Sequence, residues 1–152
     1  MAAGHTESSV VIDAPIDVVW EMTNDVTSWP NLFTEYAETE VLSQDGNTVR
    51  FRLTMHPDAN GNKWSWVSEP VMDPVARTVR AQRIEKGWFE EMDIYWNYRE
   101  VDGGTQLNWM QDFQMRADSP VSVEQMTERI SGNSPVQMAA IKAKIESASV
   151  SR

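Results

Sequence analysis

Cysteine is absent from this 152-residue chain. That excludes disulfide staples, thiolate nucleophiles and thiolate metal ligands. Histidine is nearly absent: His5 falls in the N-terminal tail and His56 in a turn-rich stretch. Two separated histidines supply no clustered donor set, so no metal is expected. Neither sits on an inward face, so a Ser/His/Asp nucleophile is not expected. Glycine and proline number seven each and never gather into a phosphate-binding loop. Positive charge is scarce, with 13 lysines and arginines against 23 acidic residues and a formal charge of −10. A chain so acidic lacks the basic face of a nucleic-acid binder and is repelled by anionic membranes, so neither partner is expected. No apolar run approaches the ~20 residues of a membrane span. Residues 1–9 carry neither the basic region nor the apolar stretch of a secretory signal, and a cytoplasmic protein is the expectation.

What the chain has in excess is tryptophan: Trp20, Trp29, Trp64, Trp66, Trp88, Trp96 and Trp109. Rings of that bulk are hard to pack, and each indole N–H wants a partner. The length suits one domain over residues 1–152. Residues 8–14 read as a first strand. Two short helices follow, one with Pro15 at its first position and Asp13 as a cap upstream, the other opened by Trp29-Pro30. From residue 36 the apolar period becomes two. Val49, Phe51, Leu53 and Met55 share one face of a strand. Trp64, Trp66 and Ser68 do so in the next, then Val79, Ala81 and Arg83, then Met92, Ile94 and Trp96. After the Asp102-Gly103-Gly104 turn come Leu107, Trp109, Gln111, Phe113 and Met115. Glu90 shares the Met92 face by parity but is expected in solvent at the strand mouth.

Short turns make these strands an antiparallel meander with one solvated face. The segment from about residue 121 to 148 repeats Met126, Ile130, Gln137, Ile141 and Ile145 at near-helical spacing and must cover the other face. Ser131-Gly132-Asn133-Ser134-Pro135 predicts a kink, or a break with a restart at Ser134. The class is therefore α+β: a curved sheet of about seven strands around a long C-terminal helix. Trp64, Trp66, Trp96 and Trp109 all point at the helix by parity. Ser68, Arg83, Gln111 and Gln137 share those faces and would be costly to bury unpaired. Apolar walls with a few polar groups describe a ligand cavity.

The stretches Thr23-Asn24-Asp25, Trp29-Pro30, Leu32-Phe33-Thr34-Glu35-Tyr36, Phe51-Arg52-Leu53, Pro57-Asp58-Ala59-Asn60-Gly61, Trp64-Ser65-Trp66-Val67-Ser68, Thr78-Val79-Arg80-Ala81 and Trp109-Met110-Gln111-Asp112-Phe113 resemble the single-domain aromatase/cyclases of bacterial type II polyketide synthases, of the tetracenomycin and spore-pigment kind. The resemblance runs in order over nearly the whole chain. It implies a helix-grip fold of the Bet v 1/START type and a poly-β-ketone substrate carried on an acyl carrier protein. It implies first-ring aldol closure and dehydration to an aromatic ring, beside a minimal polyketide synthase and with no cofactor. The pocket it implies takes in Trp29, Phe33, Phe51, Trp64, Trp66, Ser68, Pro70, Met92, Trp96, Trp109, Gln111, Met126 and Ile130, with Tyr36 at the entrance. Family members usually carry arginines where this chain has Pro70 and Pro135. Arg83 is the candidate for the remaining cationic donor, against the alternative of a salt-bridged residue at the sheet rim. Tyr36 and Gln137 complete the candidate catalytic set.

Three functions stay open on this reading: an active aromatase/cyclase with a rearranged donor set, a weakened cyclase or chaperone that only folds the chain, and a carrier of lipid or pigment. Arg50, Arg52 and Arg80 share the outward sheet face and are the candidate patch for an acidic carrier protein. A monomer or weak homodimer is expected.

Overall fold

The computed structural model describes residues 3–150, the side chains of 149 and 150 excepted. Strand β1 (Gly4–Ile12) is followed by helix α1 (Ile16–Asn24), a 3-10 turn (Val26–Ser28) and helix α2 (Trp29–Leu32). Six strands then run in succession: β2 (Tyr36–Asp45), β3 (Thr48–Met55), β4 (Ser65–Asp73), β5 (Thr78–Arg83), β6 (Phe89–Val101) and β7 (Gly104–Met115). Helix α3 (Val123–Val150) ends the fold. The sheet order is β1-β7-β6-β5-β4-β3-β2, antiparallel throughout.

The expected meander, two short helices and long final helix are all present, with several boundaries moved. β1 starts at Gly4, because pairing with β7 continues from Ile12↔Thr105 out to Gly4↔Phe113. Only glycine fits there: a Cβ would lie 2.3–2.7 Å from the Phe113 ring. His5 is therefore a strand residue, exposed and bonded to Asp112 at 2.5 Å, and not part of a tail. Pro15 is the extended residue just before α1, and no side chain caps that helix. Asp13 instead gives its backbone N–H to Glu146 Oε2 at 2.8 Å.

The predicted break in α3 does not occur. Pro135 lies inside one continuous helix. Both Pro135 and Ser131, whose carbonyl loses its partner, are exposed, so water can replace the missing bond. The capping box sits at the real start instead. Ser122 N–H donates to Gln125 Oε1 (2.9 Å), and Gln125 N–H donates to Ser122 Oγ (3.1 Å).

Cross-strand register puts Trp109, Trp96, Val79 and Met72 in one inward row and Gln111, Ile94, Ala81 and Pro70 in the next. Met138, Ile141 and Ile145 of α3 are buried against this face with Ile12, Phe51 and Leu107. The first turns of α3 bring Val123, Met126 and Ile130 onto a second cluster of Phe89, Met92, Phe113 and Met115. Bulges in β2 and at Phe89/Glu91 disturb the ladder, which curves a sheet. The β6 bulge leaves Glu90 exposed, as expected. One end of the grip is formed by the 33–35 link, the β3–β4 and β5–β6 turns and the start of α3. We call that end the mouth.

Candidate active site

Arg83 is the last residue of β5, paired with Ser68 of β4. Parity turns its side chain inward, and the ring faces there capture it. Its guanidinium carbon lies 4.2 Å from the Trp66 ring centroid and 4.7 Å from that of Phe89. It makes no hydrogen bond or ion pair within the described residues. Burial pulls its pKa down to about 10, against the opposing fields of Tyr36 and Glu35. Of the two readings of Arg83, the rim salt bridge is absent and the inward cation is present.

Arg83 ends a connected band of rings. Tyr36 meets Trp66 edge-on at 6.1 Å, and Trp29 stacks on Tyr36 at 5.9 Å and meets Phe51 at 5.2 Å. Phe33 bridges from Tyr36 (5.1 Å) to Trp109 (6.3 Å), and Trp109 stacks on Trp96 at 4.6 Å. Tyr36 thus lies inside the band and is buried. Burial and then Glu35 hold its phenol proton on. The Trp109 Nε1–H is buried with no acceptor.

These rings, expected as the walls of a cavity, stack on one another. Two depressions among the described residues lie elsewhere. One of about 360 Å³ sits on the outer sheet face at Ser8, Asn97 and Asn108. The other, about 550 Å³, lies at the far end by Asp13, Asp17 and Glu100. In the band and beside it, Trp29, Trp66, Arg83, Ile94 and Ile130 are partly exposed. Trp64 falls outside it. The residue precedes β4 within the turn, is 51% exposed, and donates Nε1–H to Asp58 Oδ2 at 3.1 Å. Strand parity does not extend into a turn, which is why the alternation misplaced it.

The remaining polar positions are mostly committed. Gln137 is 2% exposed, and its amide is spent in full. Oε1 accepts from Thr34 N–H (2.9 Å), and Nε2 donates to Thr34 Oγ1 (2.8 Å) and Asn133 Oδ1 (3.2 Å). It fastens α3 to the 33–35 link and has no amide hydrogen left to donate to a substrate. Gln111 Nε2 donates to Ser134 Oγ at 3.2 Å. Ser68 is buried beside Arg83. Pro70 is buried on the inward face opposite Ala81. The β3–β4 ladder has no pair between Thr48↔Val71 and Phe51↔Ser68, matching the N–H that proline lacks. Met92, Met126 and Ile130 belong to the second cluster, beside Phe89.

The residue that the sequence reading missed is Glu35. It lies between helix and strand, where neither period applies. Asn133 Nδ2 donates to its Oε2 at 3.1 Å. Burial raises its pKa, while Asn133, Tyr36 and Arg83 oppose the rise. A carboxylate, a phenol and an unpaired guanidinium thus share one partly covered space: an acceptor of raised basicity beside donors for a developing oxyanion. Among the described residues no group of histidine and carboxylate side chains is arranged to hold a metal. No described helix is long and apolar enough to cross a membrane. On the outer face, Arg50 is bonded to Glu69, Arg52 to Glu85, and Arg80 covers the Tyr95 ring. These arginines are occupied and form no free patch.

Residues 12–135 match the family model described as polyketide cyclase / dehydrase and lipid transport. A putative polyketide cyclase of Streptomyces cyaneus is 56% identical over 147 residues, covering 97% of each chain. The granaticin polyketide synthase bifunctional cyclase/dehydratase of Streptomyces violaceoruber is 29% identical over 93% of this chain, which spans 44% of that longer protein. The crystal structure of the Zhui aromatase/cyclase from Streptomyces sp. R1128 superposes with a TM-score of 0.84 at 25% identity, covering 95% and 94% of the two chains. A START superfamily protein from Mycobacterium smegmatis shares the fold, with a TM-score of 0.76 at 13% identity.

Proposed function

The chain belongs to the polyketide cyclase/dehydrase and lipid transport family, and we propose that it is a cofactor-independent aromatase/cyclase acting on a poly-β-ketone tethered to an acyl carrier protein. Residues 1–152 act as one unit, in the cytoplasm, beside a minimal polyketide synthase.

The observation that carries this reading is Arg83, a desolvated cation with ring contacts and no hydrogen-bond partner, beside Glu35 and Tyr36. In the proposed reaction the chain lies along the ring band, which selects one near-attack fold among many. Glu35 takes a proton from a methylene between two ketones. Arg83 holds the resulting enolate oxygen. The enolate carbon attacks a ketone carbon further along the chain, and the new alkoxide takes a proton from the site. Loss of that hydroxyl as water, and enolisation of the remaining ring ketones, gives the aromatic ring. Tyr36 donates a hydrogen bond to a ring oxygen in its protonated form, which its burial favours.

Reconstitution with a minimal polyketide synthase tests the reading. A new aromatic product that Arg83→Ala abolishes is expected; unchanged product spectra with and without the protein would overturn it. Two observations favour a second reading, a chain-folding chaperone with weak catalysis. The inward face has Pro70 where family members usually carry arginine, and the Gln137 amide is spent. In that case chain length or shunt ratios change without aromatisation, and Pro70→Arg gains aromatised product.

A further inference from the structure

We propose that the β3–β4 and β5–β6 turns at the mouth form the docking surface for an acidic protein that delivers the acyl chain, with Lys63 and Lys86 as charge contacts and Trp64 and Trp88 as apolar anchors. The inference rests on the reading above for the identity of the cargo.

The distribution of positive charge is the starting point. Arg50, Arg52, Arg77, Arg116 and Lys142 are held in ion pairs. Arg80 covers Tyr95, and Arg83 is inside the grip. Lys63 and Lys86 are exposed and carry no such partner among the described residues; the same holds for Arg99 on β6 and for Arg129 and Lys144 on α3, but only the two lysines stand on these turns. They stand on turns that share one end of the sheet, joined by β4 and β5, whose Ser68 and Arg83 are paired. The carboxylates of the same turns are already used. Asp58 accepts from the N–H groups of Asn60 (2.9 Å) and Asn62 (3.0 Å) and from Trp64, and Glu85 is paired with Arg52 at 2.6 Å. Both carboxyls are held below their ordinary values, Asp58 chiefly by Asn62 and Glu85 by Arg52. In a chain of net charge −10, two unpaired lysines beside exposed indoles make this rim a place where a partner with an anionic surface is favoured.

Each lysine stands beside an exposed indole. Trp64 is 51% exposed and Trp88 43%, with Ile84 at 37% between the turns. Tryptophan beside a cation is the composition of an interface anchor. The turns are also braced. Met55 N–H donates to the Trp64 carbonyl (2.9 Å), Arg116 N–H to the Trp88 carbonyl (2.9 Å), and Phe89 N–H to the Lys86 carbonyl (3.0 Å). Arg52 bonds both Ser65 (3.0 Å) and Glu85, which knits one turn to the other. The backbone of both turns is thus fixed, and the Trp64 indole is fastened to Asp58 as well, so little backbone freedom is lost on binding. The position suits delivery, since Trp66 and Arg83 follow or precede these turns directly along β4 and β5. A partner seated on the rim has its cargo at the site.

The probe is a holo acyl carrier protein of a minimal polyketide synthase, labelled for anisotropy and titrated with the full-length protein at low and high salt. Lys63→Glu/Lys86→Glu should weaken binding by about tenfold or more and flatten the salt dependence. Trp88→Ala should weaken binding while keeping the salt slope. Conversion of the carrier-borne chain should fall with binding, while conversion of the same chain presented as a small free thioester stays unchanged. Melting temperatures of the variants verify that they fold. Binding indifferent to the charge reversal, or equal losses on tethered and free substrate, would overturn the proposal. If the wild-type protein binds the carrier through the rim but forms no ring, the cyclase reading fails and the docking surface stands.

Discussion

Replacing Arg83 by methionine separates a catalytic cation from a structural one. Burial lowers the proton affinity of Arg83, to a pKa of about 10, by roughly 300-fold, which corresponds to about 3 kcal/mol against the charged form. The penalty is in full force at any pH below about 10 and is relieved only as the pH rises through that value, so at neutral pH the folded state bears all of it. Opposing it are the contacts with Trp66 and Phe89, each worth about 1–2 kcal/mol when desolvated. Methionine removes the penalty and retains part of the ring attraction, about 0.3–1.5 kcal/mol per sulfur–ring contact. The balance favours the variant by about 1 kcal/mol, a rise in Tm of about 2–4 °C for a chain of this size. Ring formation should meanwhile fall by about 10²–10³, the cost of removing one oxyanion donor. Thermal melting and reconstituted product yield measure the two effects. A Tm lowered by more than about 4 °C would make Arg83 a structural residue, and turnover within a few-fold of wild type would remove it from the mechanism.

Gln137→Leu strips three hydrogen bonds from the α3–loop junction and orphans the Thr34 N–H, so a loss of about 2–4 kcal/mol is expected in denaturant unfolding, with faster amide exchange at Thr34. Glu35 sits above its ordinary pKa chiefly through burial; the stability linked to it is complete below the ordinary carboxylate range and is lost as the pH rises through the raised value. Glu35→Gln should therefore be as stable as wild type or more so at neutral pH, while wild-type kcat/KM alone shows an acid limb assignable to this group. Trp109→Phe keeps a ring against Trp96 and deletes the orphaned donor, relieving about 1–3 kcal/mol against a cavity cost of similar size; near-neutral stability with an altered product ratio is expected, and an unchanged ratio would remove Nε1 from substrate positioning.

The inward rows were legible because period two reports only which side of a sheet a residue faces, and β3 to β7 are uninterrupted enough for that count to hold. Arg83, Trp66, Trp96, Trp109 and Gln111 were placed correctly for this reason. The count fails where the strand does. Trp64 lies one residue before β4, and Glu35 one residue before β2, so the first was drawn inward wrongly and the second passed unnoticed. Pro135 misled for a different reason. Its cost depends on whether water reaches the freed carbonyl, and the burial of each side of α3 is a tertiary property. Gln137 was recognised as inward and polar, but the identity of its partners depends on α3 meeting residues 33–35 from a hundred positions away.

The polar inventory of the interior also bears on what it holds. Among the inward groups, the amides of Gln111, Gln137 and Asn133 are bonded to protein, whereas the Arg83 guanidinium and the Trp109 indole N–H are not. The Trp109 donor is buried and unsatisfied, a cost that proteins keep at sites of function, whereas the Arg83 guanidinium is partly exposed. The free groups are both donors, and the Glu35 carboxylate lies within the field of one of them, Arg83. For the cyclase proposed above, a poly-β-ketone would be the complementary ligand, since every second carbon bears an acceptor and the acidic methylenes between them need one base. A lipid tail offers no acceptors along its length and would leave the buried Trp109 donor unpaired. The donor-rich, acceptor-poor interior therefore argues for an oxygen-bearing chain over a hydrocarbon one, independently of the rings that make the site apolar.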